Sequence, residues 1–461
     1  MTILASYFRE RVDGIFDPLS HGVELARKAV SPYVLYEHCE QWSFGSGAIS
    51  ELVMYQHEIR IRSGSSWLTV PAGNDPLQRI AELLSNIRIA GWRAYGWATF
   101  ELSYLLQGLD AVGTAPLLHL IVPEREVRIG AGIAELRATD EADLAVLRAA
   151  LEKPPPDSVA PSHELDTSDV DSDGYQRMVT AAIEDIRRRR LQKVILSRVV
   201  PVHYDIDLVS TYHAGRQGNT PARSFVLNLG AQRSAGFSPE TLAEIYADGN
   251  VCTQPLAGTR ALLGDPVVDM GLRAELLGDP KEIFEHAISV QVAQDDLKAV
   301  CDAASVRVTE FMSVKERGSV QHLSSRVSGQ LQPGRNAWHA LAGLFPAVTA
   351  SGIPKTAACE LIQRYERQPR GLYSGAVFMV DEDGSLDAAL VLRAVFQEKG
   401  RTWLRAGAGI VEPSTPDREF EETCEKLRSI SRFLVPADSE NVYPTITVAR
   451  RHNESKVGER K

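Results

Sequence analysis

Two Glu-x-x-Glu units, each on a predicted helix, carry the first chemistry this sequence could perform. Glu282 and Glu285 follow Asp279-Pro280, and Glu419 and Glu422 follow Thr415-Pro416. Residues three apart on a helix share a face, so each unit projects two carboxylates together. If the helices meet, four carboxylates converge. Such a cluster needs a hard divalent cation, and few protein ligands with open positions suit Mg²⁺ bridging to an anionic substrate. The same pattern has a plainer reading. Asp279 and Glu282 have capping-box spacing, and acidic residues suit the first turn of any helix.

Glycines beside small polar residues at strand ends form the second signal: Gly258-Thr259 and Gly407-Ala408-Gly409. Glycine lets a ligand approach the backbone, so its N–H groups can hold a carboxylate. A bulge or tight turn would use the same residues. The third signal is charge inside apolar strands. Arg393 lies within LDAALVLRAVF, on the face shared with Ala389 and Val391. A buried arginine needs an anion, either a ligand carboxylate or an internal salt-bridge partner. Lys193 opens KVILSR and aligns with Ile195 and Ser197. Desolvated, it is a base; on a sheet edge, it blunts strand pairing. Glu240 ends GFSPE in a loop, and His322 sits in the strand-like SVQHLSSRV. Their plain readings are a solvated carboxylate and a hydrogen-bonded strand histidine.

The elements that must position these residues are legible in outline. In the first 150 residues strand-like and helix-like patterns alternate: Thr69-Val70-Pro71 closes a strand, Leu77, Ile80, Leu84 and Ile87 keep helical spacing, and AYGWATFEL (94–102) is strand-like. The stretch 152–174, with three consecutive prolines, is an exposed connection. A helix follows with Tyr175, Val179, Ala182 and Ile186 on one face, capped by Asp171 or Ser172. Residues 241–262 read as a hairpin turning at Asp248-Gly249-Asn250, and 373–411 as a meander with turns at DEDG and EKGR. Helices are expected near 280–301 and 338–343, after Pro354 and from Pro416. Clustered strands with intervening helices favour an α+β fold. Beyond about residue 440 the polar tail is expected to be disordered.

Composition bounds the function. The chain has 461 residues, 44% apolar and 24% charged, the profile of a globular protein with a large core. A net charge of -10 disfavours nucleic acid as a partner. The one dense basic run, Arg187 to Arg190, ends a predicted helix, where cations suit the macrodipole. Cys39, Cys252, Cys301, Cys359 and Cys424 lack metal-ligand spacing and suit a reducing compartment. No apolar run approaches the roughly 18 residues of a membrane span, so a cytoplasmic protein is expected.

Taken in order, KVILSR, GFSPE, PLAGTRA, GDPKEIFEH, RGSVQHLSS, FPAVTASGIPK, RGLYSGAV, LRAGAGIV and DREFEETCEK are not generic. Over about residues 175 to 435 the chain resembles the chorismate-utilising enzymes, which include anthranilate, aminodeoxychorismate, isochorismate and salicylate synthases. Its motifs are most similar to the salicylate synthases of mycobactin-type siderophore pathways. The resemblance implies one large α+β domain over 1–439, with 152–174 a crossing loop. It implies that Glu285 and Glu422 bind Mg²⁺ directly and that Glu282 and Glu419 act through its waters. Gly258, Thr259, Gly407, Ala408, Gly409 and Lys426 would surround the ring carboxylate of chorismate. Tyr373 and Arg393 would hold the pyruvyl carboxylate. Glu240 would be the general acid for the leaving C4 hydroxyl, Lys193 the base for water entering at C2, and His322 a supporting residue.

Within the family, Lys193 favours water over ammonia as the nucleophile. Aminating relatives lack a water-activating lysine there and need a glutaminase; no glutaminase partner is expected here, and the chain is expected to act as a monomer. The motifs QHLSS and RGLYSGAV favour salicylate as the product. A reaction stopping at isochorismate, or a silent chorismate-binding relative, are the alternatives.

Overall fold

Strand alternation decides the architecture. In the Arg223–Leu229 strand, Phe225, Leu227 and Leu229 enter one core and Val226 enters another. In Arg93–Ala98, Tyr95 and Trp97 join Phe225 in that first core, whereas Ala94 and Ala98 face a third. Successive side chains of a strand point to opposite faces. Both strands are therefore buried on both sides, which is why the segments read as near-continuous apolar runs.

The computed structural model describes residues 5–437 apart from 65, 111–112, 154, 156–159 and 169. The expected polar tail, 440–461, lies outside them. Among the described residues the strands form a 12-stranded and an 11-stranded sheet, plus a two-stranded pair. The two large sheets face each other across the aromatic core of Tyr36, Tyr95, Trp97, Phe225 and Phe396. Helices cover their outer faces: Pro280–Lys298 and Ala337–Leu344 on one sheet, Leu208–Gln217 and Pro416–Ser431 on the other. This is the expected α+β arrangement. Each large sheet takes strands from both sides of the proline-rich stretch; Tyr33–His38, for example, pairs with Arg223–Leu229.

Several local expectations hold. Ser172–Arg187 is a helix with Tyr175, Val179, Ala182 and Ile186 buried. Thr241–Ile245 and Asn250–Thr253 form the hairpin, with Gly249 at φ 84° in its turn, whereas the rest of the expected span, Leu256–Ala261, pairs with Val320–Gln330. Three differ. Asp171 precedes the Ser172 helix in a left-handed conformation and its side chain makes no cap bond. In AYGWATFEL the strand stops at Ala98, and Leu102 starts a short helix. The expected meander is not one ribbon. Ala376–Asp381 and Leu386–Leu390 lie in the 12-stranded sheet, and Ala394–Glu398 and Arg401–Ile410 in the other. The chain crosses between sheets at Val391–Arg393, and Arg393 has φ 50°. Arg393 therefore does not share a strand face with Ala389 and Val391. An apolar run that is buried in either sheet hides such a crossing.

Candidate functional site

The crossing and the strands Leu256–Ala261, Val320–Gln330 and Arg401–Ile410 line a cavity. Its wall includes Glu240, Gly258, Thr259, Glu285, His322, Tyr373, Arg393, Gly407, Gly409, Glu422 and Lys426. Four residues of the sequence reading, Lys193, Ala408, Glu282 and Glu419, are absent from the described wall. Ala408 donates its N–H to the Tyr175 hydroxyl at 3.2 Å. The other three stand behind the wall.

Gly258 forms the bulge that its plainer reading expects. The Leu256–Ala261 strand bulges between Ala257 and Thr259, and Gly258 takes φ 84° there. A Cβ on it would stand 3.3 Å from Oε2 of Glu282. The bulge also aims the Thr259 N–H at that same oxygen, at 3.0 Å. Asp279 caps the Pro280–Lys298 helix by accepting from the Lys281 N–H. Glu282, which the capping-box reading would turn back to Asp279, instead binds Thr259 and Arg260.

The two acidic helices do meet. Glu282, Glu285, Glu419 and Glu422 are all buried. Lys281 joins the helices, with Nζ 3.3 Å from Oε1 of Glu282, 3.7 Å from Oε2 of Glu285 and 3.3 Å from Oε1 of Glu419. Lys426 Nζ lies 2.7 Å from Oε1 of Glu422 and donates to the Gly407 carbonyl at 3.0 Å. Burial would raise the Glu422 pKa, but Lys426 and Lys281 overcome it and hold Glu422 well below the usual range. Burial and the charge of Glu422 push Glu419 upward. Glu419 is 0% exposed, and beyond the Lys281 ammonium 3.3 Å from its Oε1 its oxygens lack well-aligned hydrogen bonds. A buried carboxylate so sparsely satisfied is costly. It suits a cation that brings water ligands into the cluster, so the donor set fits Mg²⁺.

Lys193 is not an edge lysine. Its backbone pairs with Ile353, and its side chain is 0% exposed. Nζ lies 2.9 Å from Oε1 of Glu285 and donates to Oγ of Ser289 at 3.1 Å. Gly409 leaves room for this pair; a Cβ there would stand 3.2 Å from Cε of Lys193.

Glu240 is not a solvated loop carboxylate. It is 3% exposed, accepts the Thr349 hydroxyl at 2.6 Å on Oε1, and accepts the Leu256 N–H at 3.3 Å on Oε2. Burial dominates these bonds and lifts its pKa to about 8, so it holds a proton at neutral pH.

Arg393 donates to the Arg317 carbonyl at 2.6 Å and contacts Nε2 of His322. No carboxylate pairs with it among the described residues. Burial and the Arg317 charge press its pKa down, yet a guanidinium keeps its proton at neutral pH. A buried, unpaired cation on a cavity wall points to an anionic ligand. A guanidinium has no lone pair to offer, so Nε2 of His322 is the acceptor and Nδ1 carries the hydrogen. Nδ1 lies 3.1 Å from the Thr259 hydroxyl and 3.3 Å from the Gly258 carbonyl. Burial and Arg393 keep this imidazole neutral. His322 thus ties Arg393 to the Gly258 bulge.

Three contributors went unread in the sequence. Thr349 binds Glu240, Lys281 joins the acidic helices, and Arg405 lines the cavity beside the Tyr373 ring, 5.5 Å from its centroid. Arg405 is itself held by Glu366, which also binds Arg370. Thr349 lies in FPAVTASGIPK, where a lone hydroxyl has no period or spacing to mark it.

The pattern of the chorismate binding enzyme family matches residues 31–432. The chain belongs to this family. It is 41% identical to a salicylate synthase of Mycolicibacterium paratuberculosis over 429 residues, 91% of this chain and 94% of that protein. It is 38% identical to an anthranilate synthase component 1 of Haloarcula marismortui over 274 residues, 59% of this chain and 51% of that protein. Among solved structures, anthranilate synthase component I from Streptococcus pneumoniae superposes with a TM-score of 0.70 at 25% identity, covering 88% of this chain and 93% of that one. The menaquinone-specific isochorismate synthase of Escherichia coli shares the fold, with a TM-score of 0.69 at 22% identity over 94% of this chain and 96% of that one.

Proposed function

We propose that this chain converts chorismate to salicylate and pyruvate through isochorismate, as a Mg²⁺-dependent cytoplasmic enzyme that supplies salicylate for a siderophore. The observation that carries the chemistry is Glu240, a buried carboxyl still protonated at neutral pH on the wall of a cavity that also holds an unpaired arginine. Expelling hydroxide from C4 requires a proton, and Glu240 is the acid that has one to give. Arg393 and Tyr373 hold the pyruvyl carboxylate, and His322 positions Arg393. Lys193 takes the proton of the water that attacks C2, which places hydration ahead of amination. The second half, an intramolecular hydrogen transfer that releases pyruvate, asks the site chiefly to fix the side-chain conformer. Near full-length similarity to a salicylate synthase supports this product.

Glu285 and Glu422 would hold Mg²⁺, with Glu282 and Glu419 acting through its waters. When bound, Mg²⁺ offsets the charge of the carboxylate cluster and of the ring carboxylate of the substrate. Chelation is therefore expected to abolish chorismate turnover, and added Mg²⁺ to restore it. Full turnover in excess chelator would remove the metal from this reading. No helix among the described residues is long and apolar enough to cross a membrane.

A further inference from the structure

Lys281 stands where a cation is electrostatically out of place. It is the second residue of the Pro280–Lys298 helix, at the positive end of the macrodipole. Its ammonium is nevertheless within 4 Å of Glu282, Glu285 and Glu419, carboxylates from two helices. The remaining partners of the cluster are assigned elsewhere. Lys193 serves the other oxygen of Glu285, Arg260 serves Glu282, and Lys426 serves Glu422. For Glu419, Lys281 is the one ion-pair partner among the described residues.

We propose that Lys281 is an internal counter-cation that occupies the carboxylate cluster and competes with the divalent ion for it. This rests on the metal reading above and deepens it. A divalent ion held by the same carboxylates repels an ammonium a few ångströms away. Lys281 therefore weakens metal binding, and the bound metal drives its side chain outward; the two effects are reciprocal. A lysine stem of four flexible carbons, 17% exposed here, can make that movement without disturbing the helix. Before metal arrives, Lys281 supplies positive charge to three of the four buried glutamates, and Lys426 serves Glu422. The consequence is a site that stays folded without metal and takes metal weakly until an anionic substrate adds its own charge.

The test uses the full chain and Mn²⁺ as a spectroscopic probe, with no turnover involved. Mn²⁺ affinity is measured by electron paramagnetic resonance for wild type, Lys281→Met and Lys281→Arg, and Tm is measured in chelator. Lys281→Met is expected to lower Tm in chelator and to bind Mn²⁺ at least about tenfold more tightly. Lys281→Arg, which keeps the charge, is expected to behave as wild type and shows that the position tolerates change. Unchanged or weaker Mn²⁺ binding by Lys281→Met overturns the proposal, as does an Arg variant that shifts as Met does. Glu285→Gln separates the two readings. If it binds Mn²⁺ as wild type does, the metal site itself is misplaced and this inference falls with it. If it loses Mn²⁺ while Lys281→Met gains nothing, only the role of Lys281 fails.

Discussion

Glu240→Gln is expected to lose chorismate turnover by about a hundredfold or more while the protein remains folded. The amide matches the carboxyl in shape and can still accept the Thr349 hydroxyl bond of 2.6 Å, but it has no acidic proton to give. Wild-type activity is expected to fall as pH rises through about 8, because Glu240 then ionises. The stability effect has a definite sign. The folded-state pKa is raised from 4.5 to about 8, so the folded protein retains a proton that the unfolded chain releases. The contribution of Glu240 to stability is complete below 4.5 and is lost as pH rises through about 8. Glutamine cannot ionise, so at about pH 9 the inactive variant is expected to be the more stable protein. Melting curves and initial rates on the same preparations check both halves. A variant with near wild-type rate reassigns the acid.

Lys193→Gln is expected to fail on chorismate, again by about a hundredfold or more, yet to release pyruvate from supplied isochorismate. Hydration at C2 needs a base, whereas the intramolecular transfer does not. Lys193 lies behind Glu285 with Nζ 2.9 Å from its Oε1, so the pairing must be released before the amine can meet water in the cavity. The experiment feeds each substrate to one purified variant and follows pyruvate. Undiminished chorismate turnover sinks the base assignment and, with it, the main reason to place hydration above amination. Loss of both reactions would mean that Lys193 acts by holding Glu285 in place.

The sequence made the helical half of the site legible. Glu282, Glu285, Glu419 and Glu422 repeat at a spacing that only a helix turns into a shared face, and the helices Pro280–Lys298 and Pro416–Ser431 bring them together. The strand half was less legible. Arg393 sits where the chain leaves one sheet for the other, and the residues on either side, 388–390 and 394–396, are apolar on both faces, so the run reads as one strand. Lys193 and Glu240 were visible as residue types, but their burial is a tertiary fact. Glu240 owes its neutrality to burial, and the Leu256 and Thr349 segments that hold it are joined to it by no local pattern. Ala408 shows the reverse error: a residue between two cavity glycines whose own N–H is used by Tyr175.

Conversion of chorismate to salicylate is decided by the mass of the aromatic product. Purified protein is incubated with chorismate and Mg²⁺, and the products are separated and weighed by mass spectrometry. Salicylate and pyruvate are expected in equal amounts. Accumulation of isochorismate without pyruvate would contradict this conversion, as would the absence of any chorismate-derived product.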